Sequence, residues 1–182
     1  MDKQRLIPED MSTLRIIHYP DPRLLKPSAP IETIDDDIRR LVPRMFELMF
    51  AARGVGLAAP QVGLNIRLFV TSPSFEPADL HVYINAEILA SEQWEDAEEG
   101  CLSVPGLSVR IKRHNVATIR AMNLEGNWFE ETSKGLGARA YQHEMDHLEG
   151  RLVVDRMGSV AKLTNRRLLK ELEEEFAEKA PR

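Results

Sequence analysis

The stretch Gln142 to Gly150 reads QHEMDHLEG, which sets His143 and His147 four residues apart with Glu144 directly after the first histidine. On an α-helix that spacing stacks both imidazoles on one face as convergent metal ligands, with Glu144 leaning into the same site as a candidate general base. The bland alternative is a solvated helix face that happens to carry two histidines and an acid. A charged cluster set between apolar turns and closed by a glycine favours the metal reading, and with it hydrolytic chemistry. The motif does not name the reaction, because many metallopeptidases share it. A third ligand, a group for the oxyanion and a bed for the substrate must come from elsewhere in the chain.

Cys101, in EDAEEGCLSVPG, is the candidate third ligand. A lone cysteine is most often a small buried hydrophobe. Here Gly100 permits an unusual backbone approach just before the sulfur, and Glu99 must find a partner if it is buried. Pro105 and Gly106 predict a turn after it. A thiolate with two neutral imidazoles would leave a divalent ion one open position, the pattern of a catalytic rather than a structural site. The segment GVGLAAPQVG, residues 54–63, raises phosphate binding, but it has neither GK[ST] nor the GxGxxG spacing after a strand. Gln61 is its exception: an amide among small and apolar residues is costly to bury unless its N–H donors face an acceptor, such as a reacting carbonyl oxygen.

The elements that must position these residues follow from periodicity. Prolines at 8, 20, 22, 27 and 30 predict an extended arm rather than a helix, after a loosely held first stretch, residues 1–13. Ile38, Leu41, Val42, Met45, Leu48 and Met49 recur at helical spacing, with Gly54 as the expected stop. Pro43 interrupts that pattern and moves the expected start towards Val42. Short strands are predicted over Ile66–Thr71, His81–Asn85, Ile88–Trp94, Val116–Met122 and Trp128–Thr132, the last two joined by a hairpin around Asn123, Gly126 and Asn127. A second helix is predicted over Gly135–Leu148, stopped by Gly150. A third runs from Ser159, a good N-cap, to about residue 180, with Val160, Leu163, Leu168, Leu172 and Phe176 as its buried stripe and fraying at its acidic end. The expectation is one α+β domain spanning residues 1–182, with antiparallel strands around the metal-bearing helix.

At 182 residues, 43% hydrophobic and 29% charged, the chain has the composition of an ordinary soluble globule. A net charge of -5 with no basic stripe argues against direct nucleic-acid recognition. No apolar run has the length of a membrane span, the N-terminus lacks the marks of a signal or transit peptide, and the single cysteine needs no oxidising compartment. A cytoplasmic location is expected.

GVGLAAPQ, EGCLS and QHEMDH, in this order and separation, resemble the three signature motifs of the peptide deformylase family, enzymes that remove the N-formyl group from newly made polypeptides. HYPDPRLL and LEGRLVVDRM extend the likeness, so that it runs from about Leu14 to Met157. The resemblance implies Cys101, His143 and His147 as metal ligands and Glu144 as acid and base. It also implies that Gln61 and the backbone N–H of Leu102 hold the formyl oxygen. Water made acidic by the ion would give its proton to Glu144, the hydroxide would attack the formyl carbon, and Glu144 would return the proton to the leaving amine. The family implies a ferrous ion, with nickel, cobalt or zinc as other occupants, and N-formylmethionyl nascent peptides as substrates. Leu136, Arg139 and Ala140 share the face of His143 and, with Gly54, Val55, Gly56 and Glu99, are candidates to bind the substrate. Whether Arg139 snorkels or pairs is left open at this point. The acidic C-terminal helix reads either as plain surface or as a ribosome contact. Two other classes stay open: an HExxH metallopeptidase cutting internal bonds, and a non-catalytic metal- or peptide-binding relative, whose mark would be a damaged signature.

Overall fold

A computed structural model describes residues 7–179 and shows an α+β domain built on one five-stranded antiparallel sheet, in the order β1-β2-β3-β4-β5. Its strands are β1 (Gly56–Ala58), β2 (Leu68–Thr71), β3 (His81–Cys101), β4 (Val104–Met122) and β5 (Trp128–Lys134). The helices are α1 (Asp36–Ala51), α2 (Leu136–Leu148), the short α3 (Val153–Arg156) and α4 (Ser159–Thr164), and α5 (Arg166–Lys179). α2 packs against β4 and touches every other strand, which makes it the centre of the molecule.

The amphipathic stripe of α1 is buried as read, at Ile38, Leu41, Val42, Met45 and Met49, with Phe46 added and Leu48 only half buried. Its start differs from expectation. Asp35 caps the helix by accepting from the Ile38 N–H at 3.0 Å, so the helix begins at Asp36 and carries Pro43 in its interior. The burial of Ile38 and Leu41 in the first turns offsets the one backbone hydrogen bond that Pro43 forfeits. The stop also moves: Arg53, at φ 59°, takes the left-handed position expected of Gly54.

The largest departure is strand length. The two short runs predicted at 81–85 and 88–94 are parts of one strand that continues to Cys101, bent by register shifts near Ile84, Ile88 and Glu99. Its partner β4 begins at Val104, so Pro105 and Gly106 lie within a strand and the turn is Leu102–Ser103. The outer part of β3 is exposed and rich in glutamate, so it lacks the apolar alternation that marks a half-buried strand; pairing along β4 supplies the stability instead. The β4–β5 hairpin turns as read, with Gly126 at φ 81° and Asn123 Oδ1 accepting from the Glu125 and Asn127 amides.

The proline-rich arm lies on the body of the domain and joins two parts of the site: the Ile17 N–H donates to Gln61 O and the Tyr19 N–H to Ser103 O, both at 2.8 Å. It carries two 3-10 turns, Met11–Thr13 and Pro22–Leu25. Residues 1–6 of the expected loose N-terminus and residues 180–182 lie outside the described residues, while Ile7 is buried. The single C-terminal helix is instead α4 and α5, divided at Asn165, and Ser159 is its first residue rather than its cap, which is Gly158. Of its expected stripe only Leu172 is buried. Leu168 and Phe176 are half buried, and Val160 and Leu163 are 79% and 72% exposed, while Ala161 is the α4 residue packed against the core. Among the described residues no helix is long and apolar enough to cross a membrane.

Candidate active site

α2 is buried along nearly its whole length, which is unusual for a helix carrying two histidines, a glutamate, an aspartate and an arginine. Burial at that density requires partners for each polar group, and the partners define the site. Gly150, at φ 71°, ends the helix where the backbone of Leu25 leaves no room for a Cβ. Gln142 fastens α2 to β4: its amide accepts from the His114 N–H and donates to His114 O and Ala138 O.

His143 and His147 converge as their spacing requires. His147 Nε2 lies 3.2 Å from His143 Nε2 and 3.4 Å from Cys101 Sγ. The three residues offer ligand atoms within 4.8 Å of one another, a group that could hold a metal ion. Cys101 reaches them from the last position of β3, two residues beyond Glu99 and so on the same face of the strand.

Glu99 is buried and has all its acceptor positions filled. Arg113 donates to both oxygens at 2.6 and 2.7 Å, Arg139 to Oε2 at 3.0 Å, and His143 Nδ1 lies 2.7 Å from Oε1. A carboxylate only accepts, so His143 carries its proton on Nδ1 and turns the Nε2 lone pair to Cys101 and His147. Burial works to raise the Glu99 pKa, but Arg113 and His143 more than offset it and hold it far below the carboxylate range. Arg139 therefore pairs rather than snorkels. Arg113 also donates to Asp146 at 2.9 Å, and Asp146 in turn receives Arg156.

Ser103, Arg113 and Asp146 are site residues that the motifs did not single out. Arg113 had a readable signal: Leu107, Val109 and Ile111 alternate on the buried face of β4 and Arg113 falls on the same side, so a buried arginine was implied. Asp146 sits three residues beyond His143, on the same side of the helix.

One cavity of about 620 Å³ joins the rest. Gly54, Val55 and Gly56 line it from β1 and the turn before it; Glu99, Cys101 and Leu102 from the β3–β4 corner; Leu136, Arg139, Ala140, His143 and Glu144 from α2; and Gln61 from the 3-10 turn Ala59–Val62. His147 is buried behind that wall, within the ligand group. The cavity extends to Ile16, His18 and Arg53, which the sequence did not suggest. Gln61 is oriented at both ends of its amide: Oε1 accepts from the Ala58 N–H at 2.8 Å, and Nε2 sits 3.2 Å from Ser103 Oγ and 3.8 Å from Cys101 Sγ.

The donor set suits a cation. Burial works against a charged His143, yet Cys101 and Glu99 more than offset this and hold its pKa well above the usual value; a bound cation would take the place of the Nε2 proton and leave that lone pair to ligate. Burial and the neighbouring His143 depress His147, which keeps that ring neutral, the form in which imidazole ligates. Sulfur and two imidazoles are the ligands of zinc, iron, nickel or cobalt rather than of magnesium or calcium. Glu144 is pushed up to about 7 by burial, and its Oε2 has no protein partner. Gly56 stands so close that a Cβ there would run into the Glu144 carboxylate.

Residues 13–163 match the polypeptide deformylase family. The chain belongs to that family. It is 45% identical over 166 residues to a peptide deformylase of Azotobacter vinelandii, covering 91% of this chain and 97% of that one. A second, from Acidobacterium capsulatum, is 44% identical over 158 residues, with 85% and 93% covered. Among solved structures, a peptide deformylase of Arabidopsis thaliana superposes with a TM-score of 0.88 at 38% identity, covering 92% of this chain and 94% of that one. Family membership makes the chain a metal-dependent hydrolase that acts on formyl groups, and it does not favour the reading as a general HExxH peptidase.

Proposed function

We propose that this chain hydrolyses the N-terminal formyl group of formylmethionyl nascent peptides, with Cys101, His143 and His147 holding one divalent ion, ferrous iron in the first place and nickel, cobalt or zinc as alternatives. The observation that carries this reading is the convergence, on one cavity, of a thiolate–imidazole ligand group, an unpartnered buried carboxylate and an oriented amide. A bound ion of this kind makes water acidic and polarises a carbonyl oxygen.

The chain's own residues supply the rest. Glu144, whose pKa of about 7 places it between base and acid at neutral pH, takes the proton of the attacking water and delivers it to the leaving amine. Gln61 Nε2 and the Leu102 N–H hold the formyl oxygen as charge develops on it, and the Ala58 contact keeps the Gln61 amide aimed before that charge appears. β1 is an edge strand, paired with β2 alone among the described residues, and Gly54, Val55 and Gly56 line the cavity, so an extended peptide would add alongside it as a strand and be held by its backbone irrespective of sequence. Leu136, Ala140 and the stem of Arg139, with Gly54, Val55 and Gly56 opposite, receive the methionine side chain. A working thiolate suits a reducing compartment, which supports a cytoplasmic location.

The test follows formate release from a formyl-Met peptide beside cleavage of its acetylated and unblocked forms. Release of formate from the first alone supports the reading. Cleavage of internal bonds in the unblocked peptide overturns it.

A further inference from the structure

Arg139 is an expensive residue for the wall of a pocket that takes an apolar side chain: it is 7% exposed, and its guanidinium must be satisfied within the protein. The structure satisfies it in one particular way. Both Nη1 hydrogens are used at 3.0 Å, one on Glu99 Oε2 and the other on Ile111 O, while Nη2 lies 3.4 Å from Glu95 O. Arg139 thus ties α2 to both strands of the long hairpin, and it does so through the carboxylate that accepts from His143 Nδ1. Glu99 has four acceptor positions, two filled by Arg113, one by His143 and one by Arg139. Without Arg139 the carboxylate keeps the Arg113 fork and the His143 contact on Oε1 but loses its second contact on Oε2, so one of its four acceptor positions is left without a donor and its orientation is less fixed.

We propose that Arg139 is a positioning residue for His143: by filling the fourth acceptor site of Glu99 it fixes the carboxylate, and through it the direction in which His143 presents Nε2. The same side chain lines the substrate cavity, so the pocket wall and the orientation of a metal ligand are a single device in this chain. The proposal rests on reading Cys101, His143 and His147 as metal ligands.

The experiment uses the full chain loaded with Co2+, whose visible absorption reports ligand geometry, as wild type, Arg139→Met and Arg139→Lys. Methionine keeps an apolar wall and removes the guanidinium; lysine keeps the charge and can restore a single donor to Glu99. Groups that orient a metal-bound histidine are worth about 10–100-fold in metal affinity. With Arg113 still in place the lower end applies, so Arg139→Met should release cobalt to a chelator about tenfold faster than wild type, with shifted cobalt bands. Its kcat for a formyl-Met peptide should fall while KM stays near the wild-type value, and Arg139→Lys should recover part of each change. A purely steric wall would move KM alone and leave spectrum and release rate untouched, which overturns the proposal. Melting of the metal-free proteins separates this from loss of fold; if the methionine variant is unfolded, the lysine variant must still show altered cobalt bands, and wild-type bands there overturn the idea. Failure of wild type to bind cobalt through a thiolate removes the metal reading itself, a result distinct from equal behaviour of all three proteins.

Discussion

Glu144 shows how much one residue's chemistry depends on what surrounds it. The same glutamate on an exposed helix would be a carboxylate of ordinary pKa; buried beside Gly56 with one oxygen unpartnered, it titrates near 7. Glu144→Ala should retain metal, measured by metal content after dialysis, and lose about 10²–10⁴-fold in turnover, the usual worth of a positioned acid–base group. Gly56→Ala places a methyl group where the carboxylate stands, and its turnover should fall about 10²-fold with metal content unchanged. Gln61→Ala removes a donor already aimed by Ala58, so kcat should drop by about 10²–10³ while metal binding persists. An unchanged rate in that variant would make the amide structural only. These residues were legible in the sequence because each belongs to a short local pattern. Arg139 and Arg113 were less so: their partners Glu99 and Asp146 are dozens of residues away or on another element, and only the β3–β4 register together with the packing of α2 on that hairpin brings them together.

At the scale of elements, the site is the junction of α2 with the β3–β4 hairpin, and charge pairs hold that junction. Asp146 binds Arg113 and Arg156, and Glu99 binds Arg113 and Arg139, all but Arg156 nearly inaccessible to solvent. Burial would raise both acids, but their arginine partners, and His143 on Glu99, outweigh it and lower them. In acid the unfolded chain then binds more protons than the folded one, so stability from these groups is full above their ordinary values of 4.5 and 3.8 and is lost as pH falls through the lower folded values. Urea melts of the metal-free protein between pH 6 and pH 3, on the order of that titration window, should show a steep loss that Asp146→Asn flattens. Asp146→Ala leaves one buried Arg113 donor without its acceptor, while Glu99 still pairs with Arg113 and Arg156 can turn to solvent, so it should destabilise by about 1–3 kcal/mol. The helix carrying this junction was readable because QHEMDHLEG spaces two histidines about one turn apart and closes on a glycine. The hairpin's reach was not, because its outer strand is held by pairing rather than by burial, and polar glutamates leave no period to read. The break at Asn165 was hidden for the opposite reason: Val160 and Leu163 continue the apolar spacing of α5 but lie on solvent.

For the whole molecule, sheet, central helix and arm make one half-open cavity of about 620 Å³ whose chemistry converges on three ligand atoms. β1 is the edge strand beside that cavity, where the proposed extended peptide would lie. Everything proposed for the reaction therefore turns on a metal at Cys101, His143 and His147. The most direct measurement strips the protein of metal, reloads it anaerobically with ferrous iron, nickel, cobalt or zinc in turn, and follows formate release from a formyl-Met peptide. The stripped protein should show no turnover, reloading with ferrous iron should restore it, and Cys101→Ala should not recover with the same ion. Full activity in the metal-free protein, or in Cys101→Ala, would contradict the metal reading.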